Sequence, residues 1–95
     1  MLIQHKKAGT KGLFFVQQDG NILAEMTYTM PSAEKMIIDH TEVSDELRGQ
    51  HIGQKLVASA VAFAIEKDLK INPICPFAHA VLKKNNEYKI LLIEE

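Results

Sequence analysis

The sequence predicts an α+β (α/β) domain: an antiparallel meander of four strands, then helix, strand and helix, in the order β-β-β-β-α-β-α. Three observations carry this expectation. Short β-branched and aromatic runs in the first half are separated by turn-forming residues, as in antiparallel strands. After Val43 the apolar pattern changes from alternation to a helical period. A single helix then separates the fourth strand from a fifth, so those two should be parallel and joined by a right-handed crossover.

The elements follow in order. Leu2 to Lys7 reads as a short mixed strand, and Ala8-Gly9-Thr10-Lys11-Gly12 as a turn. Leu13-Phe14-Phe15-Val16 is strand-like, and Gln17-Gln18-Asp19-Gly20-Asn21 is a hairpin turn of the Asp-Gly kind. Ile22 to Thr29 alternates from Leu23 onward, as a half-buried strand does. Met30-Pro31-Ser32-Ala33-Glu34 turns the chain into a fourth strand, Lys35 to Val43. Ser44-Asp45-Glu46 places a capping residue and two acids where a helical turn would begin. From Ile52 to Asp68 the pattern is helical, with Lys55, Ser59, Ala62 and Glu66 forming one narrow outward stripe. Nearly everything else on that helix is apolar, so it should lie against the sheet. Leu69 to Ile74 is the fifth strand, and Pro76 suits the first turn of a second helix, Pro76 to Lys84. The tail Tyr88 to Ile93 is apolar enough to dock, as helix or as strand.

A chain of 95 residues makes one domain, 1–95, and buries only roughly 60–65% of its unfolded surface. Its net charge of −1 lacks the basic field that nucleic acid or an anionic membrane would require, so neither is expected as a partner. The single Cys75 excludes an internal disulfide and fits a reducing compartment. The N-terminus has no apolar signal core, and the longest near-apolar run, Leu56 to Ile65, is about half a membrane span. A cytoplasmic protein is expected, monomeric or weakly homodimeric. His5 and His79 share no defined element with other ligands, so no metal is assigned.

The segment Arg48-Gly49-Gln50-His51-Ile52-Gly53 follows a strand and opens the buried helix. N–H groups at a helix start are unpaired, and the helix dipole favours an anion there. Glycine permits positive φ and close approach of a phosphate, while Arg48 can add a bidentate contact. A sharply turning loop with no ligand has the same composition.

Val43 to Leu56, with Arg48 and Gly53 at its key positions, resembles the coenzyme A segment of GCN5-related N-acetyltransferases, whose pattern is Gln/Arg-x-x-Gly-x-Gly/Ala. His51 stands where that family usually has Gly. The resemblance extends through Asn72-Pro73-Ile74-Cys75-Pro76 and is closest to the short, single-domain branch. It implies a minimal fold of that family, acetyl-CoA as co-substrate, and an unidentified amine as acceptor. It also implies that Val43, Arg48, Gly49, Gln50, His51, Ile52 and Gly53 bind the cofactor, the pantetheine arm pairing with the fourth strand near Glu42 and Val43.

Cys75 lies where the fifth strand meets the second helix, and a thiol at a helix N-terminus meets N–H groups that favour thiolate. Most free cysteines are instead small buried hydrophobes. The short branch carries a Cys followed by Pro here, which implies a catalytic Cys75. Strand alternation puts His40 on the face of Ile38, so that it would line the cleft beside Cys75, with Glu42 on the same side. The resemblance implies His40 as catalytic partner in its His-Thr-Glu-Val context and Glu42 as a second base. Acetyl passage through Cys75 and direct attack by the amine both stay open. So do a non-catalytic CoA-binding module and a small interaction domain that dimerises through its apolar tail.

Overall fold

The computed structural model of the chain describes residues 2–93. Its strands are β1 (Gln4–Ala8), β2 (Lys11–Gln18), β3 (Asn21–Ser32), β4 (Lys35–Val43) and β5 (Lys70–Pro73). They form one sheet in the order β1-β2-β3-β4-β5, antiparallel except for the parallel β4–β5 pair. The helices are α1 (Ile52–Lys67), α2 (Pro76–Lys84) and a single turn, α3 (Asn86–Lys89). A 3-10 turn over Asp45–Leu47 joins β4 to the loop before α1, and the Ser44 hydroxyl caps it by accepting the Glu46 N–H.

The expected order is present, with differences of extent: β2, for one, begins at Lys11 and ends at Gln18, taking in residues expected in the turns on either side. β3 runs on through Met30-Pro31-Ser32, and the turn into β4 shrinks to Ala33-Glu34. Pro31 is tolerated because the β3–β4 register is broken between Thr29 and Ser32, so no ladder N–H is required of it. The tail resolves into both of its alternatives. After α3, Leu92 bridges Ile71 in parallel, with Ile71 N–H donating to Leu91 O and Ile93 N–H to Ile71 O. That segment covers the outer edge of β5, which would otherwise offer unpaired backbone groups.

One core joins sheet and helices. Ala24, Met26 and Tyr28 of β3 and Met36 and Ile38 of β4 meet Leu56, Val57, Ala60, Val61 and Ala64 of α1, all buried. The stripe of Lys55, Ser59, Ala62 and Glu66 faces outward as expected, but Ile65 is also 62% exposed. The buried arc of α1 is therefore narrower than composition suggests. Asp68 ends the helix in the left-handed region (φ 59°), its N–H reaching the carbonyls of Ala64 and Ile65.

At the β1 end of this core, His5 stacks on Phe14 at 4.2 Å, meets the edge of Phe63 and hydrogen-bonds the Tyr28 hydroxyl. Burial, with a smaller contribution from Lys7, holds the His5 pKa below its ordinary 6.5. The sign follows directly. Just below 6.5 the unfolded chain binds a proton that the native state does not, so stability rises with pH there and falls on acidification. Thermal midpoints measured between about pH 5 and 8 should show that slope, and His5→Gln should flatten it. An unchanged slope would exclude His5 as its source.

Candidate active site

The ladder between β4 and β5 is short. It pairs Lys35 to Ile38 with Lys70 to Pro73, and the Ile38 carbonyl then accepts both the Ile74 N–H at 3.0 Å and the Cys75 N–H at 3.2 Å. Beyond Ile38 the two strands part. On its other edge β4 stays bound to β3, with the Ser44 N–H on the Leu23 carbonyl at 2.7 Å. Successive residues aim backbone groups at alternate edges, so Thr41 and Val43 point theirs into the gap left by β5.

A β-bulge at Asp39 decides which side chains reach that gap. Tyr28 pairs with Ile38 and Thr27 with His40, which leaves Asp39 as the extra residue. The bulge reverses the parity of everything after it. Thr41, paired with buried Met26, takes the core-facing side, whereas His40 pairs with Thr27 and Glu42 with Glu25 on the open face. The expectation that His40 shares the face of Ile38 is thus corrected. Cys75 instead meets Thr41, their Sγ and Oγ1 atoms 3.3 Å apart. His40 and Glu42 do stand together, as simple alternation had them, with Nε2 and Oε2 3.7 Å apart and both side chains mostly exposed.

Cys75 is buried, and its residue is the N-cap of α2, followed by Pro76 at the first helical position. Burial alone would push the thiol pKa up. Hydrogen bonds from the Thr41 hydroxyl and from the N–H groups of Ala78, Phe77 and Thr41 outweigh it, so the pKa lies below its ordinary 9.0. The neutral thiol donates to Thr41 Oγ1; on ionisation the hydroxyl can turn and donate to sulfur. Thr41→Val keeps the three N–H donors and removes that one. Its alkylation by iodoacetamide near neutral pH should be slower by about tenfold, the worth of one hydrogen bond to a charged group. Equal rates would show that the helix N–H groups suffice.

The Gly-containing turn lies at the other end of the same gap. A cavity of about 450 Å³ is lined by Thr41 and Val43 of β4, by Leu47, Arg48, Gly49, His51, Ile52, Gly53 and Gln54, and by Phe77 of α2. Of the seven residues expected to hold the cofactor, only Gln50 lies outside this lining. Its N–H is engaged by the Leu47 carbonyl at 3.2 Å. The donors left for an anion are those of the first turn of α1, which have no carbonyl four residues back. Arg48 pairs with Asp45 at 3.0 Å, and both side chains are over 80% exposed. Such a pair contributes little and can yield Arg48 to a phosphate.

His51 and Gly49 both lie at positive φ, 56° and 84°. The structure therefore accommodates His51 where glycine is easier, by the left-handed conformation that His adopts more often than most residues. His51→Gly should leave acetyl-CoA affinity equal or tighter and change stability by no more than about 1 kcal/mol. Calorimetric titration of both proteins checks this, and lost binding would sink the reading of the turn. Gly53 is needed for another reason. A Cβ there would lie 2.5 Å from the Phe77 ring, which packs across it. Thr41, Leu47, Gln54 and Phe77 are the lining residues that periodicity alone did not single out.

A four-strand meander, a Gly-containing turn, a crossover helix and a parallel fifth strand that parts from the fourth make up the acetyltransferase architecture. The chain belongs to the GCN5-related N-acetyltransferase family, whose model matches residues 13–91. It is similar over 97% of its length to a GCN5-like protein from Staphylococcus aureus solved by NMR, with 38% identity, a TM-score of 0.74 and 89% of that chain covered. Protein NATD1 of Xenopus tropicalis is 32% identical over 62 residues, or 65% of this chain and 57% of that protein. Human Protein NATD1 is 40% identical over 53 residues, or 54% of this chain and 47% of that protein. The chain thus spans about half the length of the curated relatives it matches. An Elizabethkingia anophelis family member with acetyl-CoA bound shares the fold, with a TM-score of 0.55 and 19% identity over 65% of this chain and 41% of that one. No helix among the described residues is long and apolar enough to cross a membrane.

Proposed function

We propose that residues 1–95 form one acetyl-CoA-binding domain that transfers the acetyl group to an amine. The observation that carries this reading is the single cavity shared by the free edge of β4 and the start of α1. The pyrophosphate sits on the N–H groups of Ile52, Gly53 and Gln54, with Arg48 beside it. The pantetheine arm runs along Thr41 and Val43, and that brings the thioester next to Cys75.

The opposite placement of Cys75 and His40 about β4 supports a division of labour. In the first step the Cys75 thiolate attacks the thioester carbonyl. A bond from Sγ to the acetyl carbon forms, the bond to the cofactor sulfur breaks, and CoA leaves as thiolate, taking a proton from solvent. In the second step the amine nitrogen attacks acetyl-Cys75. The C–N bond forms, the C–S bond breaks, and the amine proton passes to the His40–Glu42 pair on the open face. The exposure of that pair equally supports direct attack on acetyl-CoA, with the same proton acceptor and no acyl-enzyme.

Thermal shift with acetyl-CoA, read together with release of CoA thiol, tests the function. Saturating ligand should raise the midpoint, by about 2.7 kcal/mol of stability at a hundredfold excess over Kd. A shift with no thiol release in the presence of amines would leave a non-catalytic CoA-binding module. No shift at all would end the acetyl-CoA reading and favour an interaction domain.

A further inference from the structure

Resting on the acetyl-transfer reading, we infer that the open face of the sheet binds the acceptor, and that the acceptor is an extended peptide with a free α-amine and acidic side chains at its fourth and fifth positions. The face opposite α1 carries a groove of about 780 Å³ from β1 to β4, lined among others by Lys6, Lys11, Leu13, Thr27, Thr29 and Asp39.

The strand register orders its charges. Lys6 pairs with Leu13, Leu13 with Thr27 and Thr27 with His40, so these four form one row across the sheet. In the next row Ala8 pairs with Lys11 and Lys11 with Thr29, whose hydroxyl donates to Asp39 at 2.9 Å. The β4 end thus gathers Asp39, His40 and Glu42, and the β1–β2 end gathers Lys6 and Lys11. Leu13 and the two threonines lie between, a floor without net charge. Neighbouring strands are about 4.8 Å apart, so the cationic end stands roughly 10–14 Å from the acidic end.

An ammonium group is drawn to the acidic end, where the thioester lies across the bulge and where His40 and Glu42 can take its proton. A polyamine would bring its second charge against Lys6 and Lys11 and be repelled. An acid at that distance is attracted instead. A peptide advances about 3.4 Å per residue when extended, so residues four and five, about 10 and 14 Å beyond the first, reach the lysines. The lysine rim therefore selects against a basic acceptor and for an acidic N-terminal segment.

Two C-terminally amidated pentapeptides test this, one with glutamates and one with lysines at positions four and five. Each is titrated calorimetrically into the protein with and without CoA. The acidic peptide should bind about tenfold more tightly, and Lys6→Glu combined with Lys11→Glu should reverse the order. Equal affinities, tighter binding of the lysine peptide, or no binding of either would overturn the inference. Acetyl-CoA titrated into the same samples separates the two readings: cofactor binding without peptide preference removes only the acceptor assignment, whereas peptide preference without cofactor binding removes the transfer reaction.

Discussion

Cys75→Ala is expected to lower acetyl transfer on the order of 10³-fold while leaving acetyl-CoA affinity within about twofold. A loss of that size corresponds to about 4 kcal/mol of transition-state stabilisation. It follows from the environment of the sulfur. Three backbone N–H groups and the Thr41 hydroxyl hold the pKa below its ordinary 9.0 despite burial, so more of the thiolate forms than in an isolated buried thiol. Alanine removes the thiol but leaves the cavity at the start of α1 intact, because Cys75 is not among its lining residues. Cys75→Ser separates nucleophilicity from packing, since a hydroxyl fills the space without ionising near neutral pH. Intact mass after mixing with acetyl-CoA should show one acetyl group on the wild type and none on either variant. Wild-type turnover by Cys75→Ala would assign the chemistry to direct attack assisted by His40 and Glu42. The pH profile carries the sign of the shift. Formation of the acyl-enzyme should reach half its maximum below the ordinary thiol value of 9.0, and Thr41→Val should move that midpoint upward.

Most of the fold was legible because its signals are local. The Asp19-Gly20 turn, the change of period after Val43 and Pro76 at a helix start each depend on neighbouring residues only, and α2 falls at Pro76–Lys84 as expected. The cavity at the start of α1 falls on the residues expected for the same reason, since a strand, a glycine turn and a helix start are contiguous in the chain. The relation between His40 and Cys75 was not. Alternation counts residues, and a single inserted residue at Asp39 reverses every face after it. Nothing in Ile38-Asp39-His40-Thr41 announces a bulge, because its cause lies in the pairing with β3. Thr41 was overlooked for that reason. Phe77 was missed because only the folded chain brings it across Gly53, and the charge pattern of the open face depends on the register of four strands.

Gly53→Val should weaken acetyl-CoA binding on the order of 10²-fold, about 2.7 kcal/mol. Two effects add at this position. Any Cβ on Gly53 falls 2.5 Å from the tip of the Phe77 ring, so the ring must move. Phe77 is 38% exposed and lines the cavity at the start of α1, and its easiest displacement is into that space. The valine methyl groups also stand over the N–H groups that an anion must approach. The effect on the fold should be smaller, about 1–3 kcal/mol, since a partly exposed ring can yield. Phe77→Ala divides the two contributions. If the double variant regains at least about tenfold in affinity, the displaced ring is the main obstacle. If it regains nothing, the side chain at position 53 itself blocks the phosphates. Wild-type affinity in Gly53→Val would mean that the pyrophosphate does not rest on the start of α1, and Arg48 and the β4 edge would then have to hold the cofactor without it.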